Sequence, residues 1–402
     1  MDSKQHTWTR RQFGWKTSVA ALMAVGLITA CGGGGGGGSS TGGGTTATAF
    51  TAGPVRGFGS IIVNGVRFDD SGAEIENEDG VRGGQDDIKL GSMVEVESGR
   101  IDDSAGRATA VRIRFGSEIK GPVASVDATA NTFVVLGQVV EVKPETVFDD
   151  SLGATDVAGL AGKVVEVHAQ RDAATGHYVA TRIEAEVGAT SFKLRGAISA
   201  LDTTAKTFQI GDAVISYASL NAADIPAGLA NGMKLRVKLA TAQVDGKWVA
   251  TSIRSGERKV EDHGDARLQG NVTAFTSATA FEVNGIPVDA SAARIDKGPV
   301  TADSVVEVRG TAKDGTIVAE RVKVLNGSDD SVSGVELHGS ISGVDATAKT
   351  FVLRGVKVSF AGSVSFQRGT EAQLVDGAKV EVKGTLSADR STLTATLIKF
   401  ED

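Results

Sequence analysis

The side chains able to do chemistry are spread thinly along this sequence. Beyond residue 31 the histidines are His168, His177, His263 and His338, and no two fall three to five residues apart, the spacing at which an imidazole pair holds zinc. A metal site is not expected, and neither is a cofactor. The densest local cluster is Glu261-Asp262-His263-Gly264-Asp265, which reads either as an oxygen-rich cation site or as a solvated charged connector. Paired acids at Asp69-Asp70, Asp86-Asp87, Asp102-Asp103, Asp149-Asp150 and Asp329-Asp330 offer the oxygens calcium prefers, but aspartate is also a turn residue. Asn77-Glu78-Asp79-Gly80 comes nearest to a calcium loop, yet Ile75 stands where the first ligand belongs. No Gly-x-Ser-x-Gly elbow is present, and serine, histidine and aspartate do not cluster for nucleophilic catalysis. On these grounds the chain is expected not to be an enzyme.

The one cysteine, Cys31, excludes an intramolecular disulfide and finds its use in the segment before it. A basic stretch, Arg10-Arg11-Gln12-Phe13 through Lys16, precedes an apolar run from Val19 to Ala30, the layout of an export signal. That run falls well short of the roughly twenty residues a spanning helix needs, so cleavage is the better reading. Leu27-Ile28-Thr29-Ala30-Cys31 resembles the bacterial lipobox, which implies cleavage between Ala30 and Cys31 and acylation of Cys31 with chains such as palmitate. Thr9-Arg10-Arg11-Gln12-Phe13 also resembles a twin-arginine signal, with Gly14 departing from its apolar pair, and the general secretory route stays open beside it. Gly32 after the cysteine resembles lipoprotein cargo released to the outer membrane of a Gram-negative bacterium. Residues 1–30 are thus expected to be a signal peptide of a cell-envelope lipoprotein whose first partner is the membrane, held through an N-terminal lipid.

The chain has 402 residues, 41% apolar and 5% aromatic, with 52 glycines, which suits many tight turns around modest cores rather than long helices. Residues 1–30 remove Lys4, Arg10, Arg11, Lys16 and Asp2 from 42 basic and 49 acidic side chains, leaving 38 and 48 and a net charge of −10. Such acidity argues against nucleic acid as a partner. From Gly32 to Thr48 the residues are glycine, serine, threonine and alanine, too small to offset their ordering entropy, so 31–50 reads as a flexible tether behind the lipidated cysteine.

Past the tether the sequence repeats itself. Variants of Leu-x-Gly-x-Ile-x-x-x-Asp occur around Gly121, Gly196, Gly270 and Gly339, with a divergent copy at Gly57, so that successive glycines lie 64, 75, 74 and 69 residues apart. An Asp-x-x-x-x-Thr-Phe phrase ends at Phe133, Phe208 and Phe351, shortened at Phe281. Each copy then carries an alternating strand, as in Val380-Glu381-Val382-Lys383, with valines on the buried face and Glu381 and Lys383 on the wet one. Asn64-Gly65 and Asn284-Gly285 suit two-residue hairpins, and stretches such as Leu152 to Leu160 and Leu220 to Leu229 are long enough for a helical turn or two. Five strands with a short helical segment after the third make an OB-like barrel, whose closure hides its edges.

Gly57-Phe58-Gly59-Ser60-Ile61-Ile62-Val63-Asn64-Gly65-Val66-Arg67-Phe68 resembles the opening of the bacterial repeat family catalogued as domain of unknown function 5666, and the later copies are similar to its standard repeat. The resemblance implies exported, often lipidated proteins and small OB-like barrels; it implies no activity and no catalytic residues. The expected fold is all-β, a tandem array of five small OB-like barrels at 51–116, 117–189, 190–260, 261–330 and 331–402, strung behind the tether. The expected role is a non-catalytic structural or ligand-binding array, with a carbohydrate or protein at the cell surface as ligand. Trp248 and Tyr178 would serve either as a sugar-stacking surface or as caps on their barrels. The alternative is an envelope enzyme or enzyme inhibitor, which would need a cleft at an inter-repeat junction.

Overall fold

A computed structural model describes residues 47–58, 60–149, 152–154, 156–325, 335–353, 356–386 and 392–401. Ala30, Cys31 and the signal segment lie outside the described residues, as does the tether up to residue 46. The rest is all-β, folded into small barrels that each close through five strands.

The first barrel contains β1 (Ala49–Phe58), β2 (Ile61–Val63), β3 (Val66–Asp69), β4 (Glu74–Asn77), β5 (Met93–Ser98) and β6 (Arg107–Phe115). Its ring runs β1-β2-β3-β6-β5 and back to β1, with β4 extending the parallel pairing of β3 along β6. The same ring recurs in β7 (Ile119–Asp127), β8 (Thr132–Val135), β9 (Gln138–Phe148), β10 (Val164–Arg171) and β11 (Tyr178–Ala185). It recurs in β12 (Phe192–Asp202), β13 (Thr207–Ile210), β14 (Ala213–Ser216), β15 (Lys234–Val244) and β16 (Lys247–Ser255). A further ring is built from β17 (His263–Ser277), β18 (Ala280–Val283), β19 (Ile286–Asp289), β20 (Arg294–Asp296), β21 (Val305–Lys313) and β22 (Thr316–Leu325). The last holds β23 (Val335–Asp345), β24 (Thr350–Leu353), β25 (Val356–Ser359), β26 (Ser365–Gln367), β27 (Lys379–Leu386) and β28 (Thr392–Phe400). β1 takes in Ala49 and Phe50, both buried, so strand pairing includes the last two residues of the stretch 31–50 expected to be tether.

The repeated phrase has a local physical reading. Asp127, Asp202 and Asp345 each accept hydrogen bonds from the backbone N–H groups two and three residues on, folding the turn between the first two strands of their barrels. The residue before the threonine then takes a left-handed conformation, with φ of 55° at Asn131, 52° at Lys206 and 53° at Lys349. The next strand delivers Phe133, Phe208 and Phe351 to the barrel cores, each no more than 1% exposed.

Two expectations need correction. The helical segments are three-residue 3-10 turns at Gln85–Asp87, Ala158–Leu160, Ala222–Asp224 and Glu371–Gln373, with Leu152 also in 3-10 conformation. The corresponding stretch of the 261–330 barrel holds the strand β20 and a bend, with no helix assigned there. Gly153 and Gly162, with φ of 56° and 73°, and Pro226 followed by Gly228, with φ of 70°, stop any longer helix. The barrels are also not strung out. β1 pairs in parallel with β17 through Ala49–Ala52 and with β23 through Gly57 and Phe58, while β12 pairs with β7. One core joins the 117–189 and 190–260 barrels, and another joins the first barrel to the last.

Candidate functional site

Charged side chains on the outer faces of the strands meet where the barrels pack. From the turn after β4, Glu78 reaches Lys193 at 2.8 Å and Arg236 at 3.3 Å and also pairs with Arg195, all four side chains being 15% exposed or less. Asp79 binds Arg236 and Lys238, each at 2.6 Å. Arg258, just past β16, bridges Glu95 of β5 at 2.6 Å and Glu118 at 2.7 Å. Burial alone would raise the Glu78 carboxyl, but Lys193 and Arg195 outweigh it and hold it well below the usual carboxylate range. For Arg258, burial pulls downward and is overcome by Glu118 and Glu95, so its charge is held more firmly than usual.

Neutral contacts lock the same junction. Gln138 of β9 donates to the carbonyl of Ile210 at 2.6 Å, and Gln170 of β10 donates to Asn284 Oδ1 at 2.5 Å while accepting from the Asn271 N–H at 3.1 Å. Tyr178 is 4% exposed and donates its phenol to the carbonyl of Arg195 at 2.7 Å; burial pushes that phenol's pKa up and keeps it neutral.

These contacts surround a cavity of about 410 Å³ lined by β10, β11, β12, β15, β17 and β18 together with Met93, Glu118 and Arg258. Its wall is mainly apolar side chain and glycine backbone, with Tyr178, Ala197, Ile210 and Ala274 prominent. A second, polar cleft of about 470 Å³ lies over Lys89, Lys120, Glu166, His168, Glu184 and Lys193. There Ser117 donates to Glu166 at 2.5 Å, and His168 Nε2 lies 3.6 Å from Glu184. Burial tends to raise Glu166, but Lys193 and hydrogen bonds take it down to about 2, whereas burial and the adjacent Glu166 push Glu186 up to about 7.

Of the residues singled out from sequence, Glu78, Asp79 and Tyr178 meet at the junction between barrels, and the others do not join them. Asp69 and Asp102 accept hydrogen bonds from the turns that follow them, Asp87 from Gly84 N–H, and Asp149 pairs with Arg182. Asp150, Asp329 and Asp330 lie outside the described residues, as does the side chain of His338. In the Glu261–Asp265 cluster, His263 is 6% exposed and stacks on Phe50 with 6.0 Å between centroids, Asp262 accepts from Asp314 N–H, and Asp265 binds Arg267. His177 pairs with Glu141 at 2.9 Å, and Trp248 packs edge-on against Phe192 at 5.6 Å. Among the described residues no group of three or more His, Cys, Asp and Glu side chains is placed to hold a metal, and no helix is long and apolar enough to cross a membrane. Lys193, Arg195 and Arg258 had no signal in the sequence beyond their charge, and Glu78, read as part of a near calcium loop, meets these cations instead.

The fold and site define a protein of small closed β-barrels packed around shared polar junctions. Residues 120–184, 269–323 and 338–399 match the family described as "Domain of unknown function (DUF5666)", and these segments fall on β7–β11, β17–β22 and β23–β28. No curated protein matches the chain.

Proposed function

We propose that the chain is a lipid-anchored cell-envelope protein of the outer membrane that acts by binding, not by catalysis, through five copies of one barrel packed into a block. The observation that carries the binding reading is the junction cavity of about 410 Å³, assembled from residues of several barrels and within the roughly 300–1,000 Å³ usual for small-ligand sites. A cavity of this kind adds a small molecule to the carbohydrate or protein ligand expected from sequence. The anchor rests on Leu27-Ile28-Thr29-Ala30-Cys31, and two or three acyl chains at about 0.8 kcal/mol per buried methylene give lasting attachment. Intact mass of the membrane fraction tests it: an acylated chain starting at Cys31, lost from the membrane in Cys31→Ala, is expected. An unacylated soluble product overturns the anchor.

One observation favours the rival reading of an envelope enzyme. Glu166 and Glu186 are pushed apart in acidity beside the second cleft, which is how paired carboxyls divide acid and base roles. Hydrolysis of glycoside or peptide substrates that disappears in both Glu166→Gln and Glu186→Gln would establish it.

A further inference from the structure

Resting on the binding reading, we propose that the junction cavity takes a compact amphipathic anion, its apolar body inside and its charged group at the mouth against Arg171. Four cations line the cavity, and three of them have carboxylate partners: Arg195 with Glu78, Lys234 with Glu282, and Arg258 with Glu95 and Glu118. Arg171 is different. It is the last residue of β10, it is exposed, and its guanidinium has no hydrogen-bond or ion-pair partner among the described residues. The neighbouring carboxylate of Asp172 is turned to the N–H groups of Ala174 and Thr175, at 2.9 and 2.8 Å, and makes no ion pair with it. Deeper in, the buried Nε of Arg195 makes no hydrogen bond, its nearest carboxylate oxygen, Glu118 Oε2, being 3.5 Å away.

The site therefore presents one unpaired guanidinium, that of Arg171, beside an apolar wall. A neutral apolar molecule would fill the wall and leave Arg171 unused, and a small inorganic anion would meet Arg171 and leave the wall wet. An amphipathic anion satisfies both. The volume of about 410 Å³ stands at the small end of the range for ligand sites, which favours a ring-sized body over a long chain.

Two dyes of nearly equal shape separate the claims: anilinonaphthalene sulfonate, and N-phenylnaphthylamine, which lacks the sulfonate. Both would be titrated by fluorescence into the full chain carrying Cys31→Ala, so that no acyl chain competes for the dye. One-to-one binding of both is expected, abolished when Ala197→Trp fills the cavity, with Ala274→Phe closing it from another barrel should the first variant lose its native circular dichroism. In Arg171→Gln the sulfonate dye should weaken roughly tenfold, the worth of one charge-assisted hydrogen bond, while the neutral dye is unchanged. Equal affinity of the sulfonate dye for wild type and Arg171→Gln overturns the anion assignment and leaves the binding reading standing. Absence of binding, or binding that survives both filling variants, overturns the binding reading and the assignment with it.

Discussion

Replacing Arg258 with methionine probes whether the junction between barrels is dry. The side chains of Arg258, Glu95 and Glu118 are 16%, 12% and 11% exposed, so the triad belongs with buried ion pairs. Removing one partner of such a pair costs about 3–5 kcal/mol, because the other charge stays buried without compensation, whereas a solvent-exposed pair is worth about 0–1 kcal/mol. Here two carboxylates lose their shared cation, and Glu118 keeps only Arg195 at 3.5 Å. The expected loss is therefore about 3 kcal/mol or more, read as a fall in the urea midpoint followed by circular dichroism. Adding Glu95→Gln and Glu118→Gln to Arg258→Met should restore at least half of it, since no buried charge is then unpaired. The comparison variant is Arg294→Ala, whose arginine pairs with Asp296 while 78% exposed and which should cost less than about 1 kcal/mol. If Arg258→Met behaves like Arg294→Ala, water reaches the triad and the barrels are not locked there.

Other outcomes follow from the same geometry. Phe208→Ala, at a position with 0% exposure, should cost about 3–5 kcal/mol in urea unfolding. Asp202→Ala removes the acceptor of two turn N–H groups and should cost about 1–2 kcal/mol by the same measurement. Glu78 and Glu184 are held below the ordinary carboxylate range and Glu166 down to about 2, so their stabilisation is present at neutral pH and is lost as pH falls through those lowered values. Glu186 runs the opposite way: with its pKa raised to about 7, it favours the folded state most below pH 4.5, and that contribution is lost as pH rises through 7. Thermal unfolding of Glu186→Gln against wild type from pH 4 to 8 should show a difference that changes across this window and flattens above it; a constant difference would refute the assignment.

The barrels were legible because their signals are local. Alternating valines such as Val380 and Val382, the aspartate that folds a turn two and three residues on, and the phenylalanine that follows all act within a few residues of one another. Charge was harder to read. Glu381, placed on the wet face, is 5% exposed because Lys399 and Lys383 lie over it. Nor does alternation tell a solvent-facing glutamate from one that meets another barrel: Glu78 finds Lys193 115 residues away, and Arg258 finds Glu95 across 163. The short helical segment was expected in every barrel, but in the 261–330 barrel the strand β20 runs through that stretch instead.

The strand β1 gives the chain a mechanical character. It lies antiparallel to β5 in its own barrel and parallel to β17 in another, over Ala49 to Ala52. A pull applied through the residues before Ala49 acts along the strand axis, so the hydrogen bonds on both edges of β1 are loaded together in shear instead of opening one at a time. Two barrels more than 200 residues apart in sequence resist that load as one. Were the chain held at its N-terminal end, as proposed, the first strand would be a hitch that spreads tension into the block and fails only when two sets of bonds give way at once.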